Sequence, residues 1–179
     1  MKLLRNLFAR RKPSDLYLDL MEMCLLDTIY EDPSMITGTF NPTEREFGLD
    51  WPRSAHSMIG VQRMRNLRLL TEKVLADRIP GDLIETGVWR GGACILMRAV
   101  LKAWQCTDRS VWLADSFAGL PPPDLANYPA DTGAVGELYK YKELAVSLEE
   151  VQENFRKYDL LDQQVRFLKG WFRDTLREA

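Results

Sequence analysis

At 179 residues the chain is the size of one domain. It is 46% hydrophobic and 28% charged, ordinary for a soluble globular chain, and a net charge of −2 gives no footing for a nucleic-acid partner. No stretch approaches the roughly eighteen apolar residues of a membrane span. The bases crowd one end, with Lys2, Arg5, Arg10, Arg11 and Lys12 interleaved with Leu3, Leu4, Leu7 and Phe8. Residues 1–12 could contact a membrane surface as an amphipathic helix. The plainer reading is preferred: a basic N-terminal arm over 1–14, then a single domain over 15–179. Neither the long apolar core nor the cleavage site of a signal peptide follows. Cys24, Cys94 and Cys106 are odd in number and widely spaced, with no CxxC pair. Cys24 and Cys94 lie in apolar helical patterns and read as buried thiols, which suits a reducing cytoplasm.

Ser14-Asp15 offers a cap for a helix running to about Tyr30. Leu16, Leu20, Met23, Leu26 and Ile29 keep helical spacing, and Glu31-Asp32-Pro33 stops the helix. Residues 34–54, with Gly38, Pro42, Gly48 and Pro52, read as an irregular, mobile segment. A second helix spans 58–77, with Met64, Leu67, Leu70, Val74 and Leu75 facing a core. Pro80-Gly81 punctuates the entry to a first strand, Leu83-Ile84, closed by Glu85. A helix from Ala93 to Trp104, a strand over 111–115 and a loop stiffened by Pro121-Pro122-Pro123 come next. Ser147 and Glu150 then open a helix as a capping box, and a third strand covers 164–168. The alternation predicts an α/β fold with a parallel sheet and helices on both faces.

The most informative stretch is 83–97. A strand ending in Glu85 runs into a loop with Gly87, Gly91 and Gly92, then into a helix. That succession grips nucleotides in doubly wound folds. The spacing is E-x-G-x-x-x-G-G, so neither the dinucleotide fingerprint nor the phosphate loop of NTPases is present. An acid at the strand end suits a cationic ligand with few phosphates, and S-adenosylmethionine is one. An ordinary tight turn is the alternative. Asp115, with Ser116 beside it, ends the next strand thirty residues later, where a carboxylate can accept from both ribose hydroxyls. A turn or cap role is the alternative there. Gly170 permits a close turn after the third strand, and Trp171 is either an adenine-stacking ring or a core tryptophan.

Together these stretches resemble the macrocin O-methyltransferase family. The resemblance rests on YLDLMEMCLLDTIYEDP (17–33), AHSMIGVQRMRNLRLL (55–70), IPGDLIETGVWRGGACILMRAVLKAW (79–104), VWLADSFAGLPPPD (111–124) and LAVSLEEVQENFRKYDLLDQQVRFLKGWFRDTL (144–176). It implies a Rossmann-like methyltransferase core, S-adenosylmethionine as donor, a magnesium ion and a hydroxyl acceptor on a sugar of a natural product or glycan. By position, Ser57 and Met58 look like part of a cofactor lid formed with the N-terminal helices. Glu85, Thr86, Gly87, Val88 and Trp89 look like the methionine-side loop. Asp115 and Ser116 look like the ribose site, and Ser147, Gly170 and Trp171 like adenine-side contacts. Ser147 also suits a helix cap, and the two roles are compatible.

The family places its metal-binding acids on strands beyond Trp171, and no Asp/Glu cluster of this chain supplies them at matching positions. The chain therefore reads as the N-terminal part of the fold, truncated at its C-terminus. Three functional readings follow: an enzyme half that lacks its metal site, a split enzyme completed by another polypeptide, or an inactive nucleoside-binding or interaction fragment. In this reading the far edge of the first strand stays unpaired, so association through that edge is expected. No catalytic base is assigned. The single histidine, His56, reads as a structural hydrogen-bonding residue rather than a base.

Overall fold

The computed structural model describes residues 11–176, apart from the side chains of Ala134 and Val135. Most of the basic arm, residues 1–10, lies outside the described residues. Helix α1 spans Pro13–Leu25, α2 Pro42–Phe47 and α3 Gly60–Ala76. Strand β1 (Leu83–Thr86), α4 (Gly92–Ala103) and β2 (Val111–Asp115) follow. A single turn α5 (Gly133–Gly136), then α6 (Leu148–Lys157), β3 (Val165–Lys169) and the short α7 (Phe172–Thr175) complete the chain.

The three strands are parallel in the order β1-β2-β3, with Glu85 opposite Leu113 and Asp115 opposite Lys169. The crossovers β1-α4-β2 and β2-α6-β3 step the same way across the sheet. Right-handed crossovers that step one way put their helices on one face. Helices on both faces were expected; here the two crossover helices share one. Glu85 meets α4 through Cys94, and Phe167 of β3 meets Phe155 of α6 with ring centroids 6.4 Å apart. Side chains alternate along a strand, so Ile84, Thr86, Trp112 and Arg166 lie on the opposite face. Ile84 is 50% exposed, and Thr86 and Arg166 are exposed.

Helix α4 is buried along Gly92–Leu101 because α1 and α3 pack on its outer side. A helix apolar all round needs such cover. The face of α1 that supplies it carries Leu18, Met21 and Leu25. The stripe read from the sequence is largely outward: Leu16, Leu20, Met23 and Ile29 are exposed, and only Leu26 is buried. Helix α1 also ends at Leu25 rather than near Tyr30, and its first turn is closed by the Asp15 carboxylate accepting from the Lys12 N–H at 3.3 Å, not by Ser14. In α3, Met64 is buried as expected, but Thr71 rather than Leu70 enters the core. Thr71 pays no desolvation penalty, since its hydroxyl donates to the Leu67 carbonyl at 2.8 Å. Cys94 is buried and Cys24 only partly so.

The segment 34–54 is irregular but not loose, contrary to the mobile segment expected. Arg45 of α2 is 1% exposed. Its Nε and Nη2 donate to Asp50, its Nη1 to the Leu26 carbonyl and its Nη2 to the Asp32 carbonyl at 2.7 Å. Asp32 in turn accepts from the Ser54 and Ala55 N–H groups at 2.8 and 3.0 Å.

Candidate functional site

The carboxyl ends of β1 and β2 open into two adjoining cavities. A strand-end cavity of about 440 Å³ lies over Gly87, Asp115, Ser116, Leu120, Gly170 and Trp171. A cap cavity of about 310 Å³ lies between Glu85, Gly87 and Ala93 on one side and His56, Ser57 and Arg63 on the other. Met58, Gly87 and Trp89 line both, so the two form one trench. Clefts at the carboxyl ends of parallel strands are where open α/β sheets bind ligands.

Glycines shape the trench. Gly87 has φ +87°, and a Cβ there would meet nothing within 4 Å, so bare backbone faces the cavity. At Gly92 a Cβ would fall 2.4 Å from the His56 carbonyl oxygen and 2.6 Å from the Ser57 Cβ. Without one, the Gly92 N–H donates to His56 O at 2.9 Å, and the segment carrying Ser57 and Met58 lies directly on the start of α4. The Leu25 carbonyl at the end of α1 fixes the same segment by accepting from the His56 and Ser57 N–H groups. Arg90 adds a bond to the Ala55 carbonyl at 3.0 Å.

Glu85 points toward α4, where the Cys94 thiol donates to its Oε2 at 2.9 Å. Burial pushes the Glu85 carboxyl up to about 7; Asp115 pushes the same way, and the bond from Cys94 opposes them. Asp115 has two tasks. Its Oδ2 accepts from the Val88 N–H at 2.6 Å and its Oδ1 from the Phe117 N–H at 2.9 Å, so it ties the loop after β1 to the turn after β2. A carboxylate has about four lone-pair positions, and acceptor capacity is left for a ligand diol. The turn and ligand readings of Asp115 are therefore compatible. Ser116 stays within its own turn, donating to the Gly119 carbonyl at 2.9 Å.

The other sequence-named residues divide. Trp89 donates its indole N–H to the Glu143 carbonyl at 2.9 Å and stacks under Arg90, 4.3 Å from the ring centroid. Val88 lines the cap cavity, with its side chain buried. Gly170 donates its N–H to the Asp115 carbonyl at 2.9 Å, which brings Trp171 and Phe172 to the far wall of the strand-end cavity. Thr86 projects from the opposite face of β1 and lines neither cavity. Ser147 lines neither; its hydroxyl caps α6 by accepting from the Glu150 N–H at 3.1 Å.

His56 is held by Tyr158, with 2.7 Å between its Nδ1 and the phenol oxygen. Burial, with Lys157 and Arg90 nearby, pushes it down to about 4, so it is neutral and a weak base at neutral pH. Arg63, which lines the cap cavity, is one arginine on a helix with several and carries no local signal in the sequence. Cys94 was read as a core thiol, and its bond to Glu85 depends on contacts nine residues apart.

The residues present fit the amino-acid and ribose portions of S-adenosylmethionine: carboxylates at two adjacent strand ends, open backbone at Gly87 between them, and aromatic rings at the far end. They do not fit a magnesium site in the same way. Among the described residues no three His, Cys, Asp or Glu side chains gather as a metal donor set.

The sequence model of the Macrocin-O-methyltransferase (TylF) family matches residues 33–179. The chain is 52% identical over 173 residues to demethyldecarbamoylnovobiocin O-methyltransferase of Streptomyces niveus, covering 93% of this chain and 65% of that protein. It is 47% identical over 173 residues to mycinamicin III 3''-O-methyltransferase of Micromonospora griseorubida, covering 92% and 67%. The solved structure of the O-methyltransferase NovP superposes with a TM-score of 0.88 at 53% identity, covering 93% of this chain and 68% of that one. The chain thus spans 65% of the length of the Streptomyces niveus relative. It belongs to the macrocin O-methyltransferase (TylF) family.

Proposed function

We propose that this chain binds S-adenosylmethionine and serves methyl transfer to a sugar hydroxyl of a natural product, with a reducing cytoplasm as its setting. One observation carries the reading: Glu85 and Asp115 end neighbouring parallel strands on the same sheet face and border one trench. When bound, the donor supplies an electrophilic methyl group on a sulfonium.

The chain's own residues would bind and orient it. Glu85 accepts from the ammonium of the amino-acid tail. Asp115 accepts from ribose hydroxyls while keeping the Val88 and Phe117 N–H groups satisfied. Trp171 and Phe172 form an apolar wall for the base. Met58 and Trp89, where the two cavities meet, exclude water from the reacting centre. Magnesium, which the family resemblance implies, has no donor set among the described residues. His56 is not assigned as the base, since a group near 4 is poorly matched to accepting a hydroxyl proton at neutral pH.

Titration calorimetry of the full chain with S-adenosylhomocysteine tests the reading. The expected result is one site per chain, weakened at least about tenfold by Glu85→Gln through loss of a charge-assisted bond. No binding to the wild-type chain overturns the donor-site assignment.

A further inference from the structure

Helix α1 is apolar on two opposite faces, and the fold covers only one of them. Leu18, Met21 and Leu25 pack inward. Leu16, Leu20 and Met23 follow one another at helical spacing on the outer face and are 54%, 53% and 46% exposed. A helix that is apolar all round is ordinarily covered all round. Among the described residues nothing covers this outer stripe.

The charges beside the stripe fall into two sets. Asp19, at its middle, is neutralised by Arg11 and Arg68 at 2.5 and 2.7 Å, and Glu22 by Arg68 at 3.2 Å. Asp15 closes the first turn by accepting from the Lys12 N–H. The second set has no partner. Among the described residues no carboxylate pairs with the Lys12 ammonium, and no cation pairs with Asp27 or Glu31. Lys12 stands at the N-terminal end of α1, and Asp27 and Glu31 stand just past its C-terminal end.

These features share one centre. Leu16 and Met23 are equally far along the chain from the peptide bond between Asp19 and Leu20, and so are Lys12 and Asp27. Turning α1 end for end about that point exchanges leucine with methionine and lysine with aspartate. Such a face is complementary to an antiparallel copy of itself, the arrangement of a two-fold dimer. A parallel copy would set Lys12 against Lys12 and Asp27 against Asp27. We propose that the outer face of α1 docks on the same face of a second copy of this chain, antiparallel, with Lys12 of each protomer paired to Asp27 of the other. Three half-exposed side chains fall short of the roughly 800 Å² that each partner buries in a stable complex. The dimer is therefore weak, with a dissociation constant on the order of tens of micromolar. Because α1 lies outside α4, this contact is separate from pairing at the edge of β1.

Sedimentation velocity of the full chain carrying Ile84→Lys, which blocks that edge, isolates the contact. The expected result is a monomer–dimer equilibrium that weakens as salt is raised. Leu20→Lys or Leu16→Lys, each at a half-exposed position, should abolish the dimer and leave the urea midpoint unchanged. Lys12→Gln and Asp27→Asn should each weaken it about threefold to tenfold, since symmetry removes two exposed ion pairs at once. The double variant should be no weaker than either single one, because both remove the same pair. A folded Ile84→Lys chain that stays monomeric at every concentration overturns the proposal. So does a dimer that Leu16→Lys and Leu20→Lys leave intact, or a double variant whose losses add. Vesicles of phosphatidylserine and phosphatidylcholine test the other occupant. A monomeric chain that sediments with them, and is released by Leu20→Lys, gives the face to a lipid surface and overturns the dimer.

Discussion

Glu85 is the side chain whose charge state has the widest consequences. Its carboxyl, ordinarily near 4.5, is pushed up to about 7 by burial, with Asp115 adding to the effect. Without ligand, the folded chain keeps a proton through that window that the unfolded chain has already released. Stability is therefore greatest below pH 4.5 with respect to this group, and falls as pH rises to about 7, by something on the order of 3 kcal/mol. A bound ammonium reverses the preference, because it requires the carboxylate. Affinity for S-adenosylhomocysteine should fall about tenfold per pH unit below 7 and level off above it. The other groups facing Glu85 do not mimic this profile: His56 is pushed down to about 4, and the Cys94 thiol is pushed well above its ordinary range. Calorimetry at stepped pH reads the profile, and Glu85→Gln should flatten it. A wild-type affinity that does not change between pH 5.5 and 7 contradicts this role. Glu85 and Asp115 were legible because an acid closing an apolar run is a local pattern. The elevated charge state was not, since it arises from α4 and β2 closing around the carboxyl.

Among the elements, the cap over the trench depends on one buried pair. Arg45 joins the end of α1, the loop at Asp32 and Asp50 through five hydrogen bonds, all at residues nearly out of solvent. Removing the arginine alone would leave Asp50 charged and unpaired, at a cost of about 3–5 kcal/mol. Arg45→Ala should lower the urea midpoint accordingly and weaken S-adenosylhomocysteine binding. Replacing both partners with apolar residues should cost less than Arg45→Ala by itself. An Arg45→Ala chain within 1 kcal/mol of wild type would show that the cap is held some other way. The glycines and prolines of 34–54 read as looseness in sequence, and the arginine that fixes them gave no signal, because its partners are distant carbonyls. Helix α1 shows the converse problem. It has apolar residues on both faces, and periodicity alone finds two stripes. Packing on α4 selects Leu18, Met21 and Leu25 and leaves Leu16, Leu20 and Met23 outside. In α3 a seven-residue step from Met64 reaches Thr71, so the helical angle outweighs hydropathy at Leu70.

At the scale of the whole molecule, β1 forms one edge of the sheet. The Leu83 N–H donates to the Ser110 carbonyl just before β2 at 3.0 Å, and the Gly87 N–H to the Ala114 carbonyl of β2 at 2.9 Å. Alternation turns the backbone groups of Ile84 and Thr86 toward the open side. No proline, lysine or bulge protects that edge, and Ile84 exposes half its surface beside it. Such an edge pairs readily with another strand. Sedimentation velocity should show association that grows with concentration, and Ile84→Lys should reduce it. A single monomeric species at all concentrations contradicts the expectation. The order of elements and the parallel sheet were readable from alternating apolar runs and helical periods. The one-sided placement of the crossover helices was not, because it depends on the direction in which successive strands are added.

The most direct measurement is a crystal structure of this chain with S-adenosylhomocysteine. The ligand is predicted to lie along the trench, with its ribose at Asp115, its amino group at Glu85 and its adenine against Trp171. Electron density for the ligand away from the carboxyl ends of β1 and β2, or with its tail pointing out of the cap cavity, would contradict the assignment.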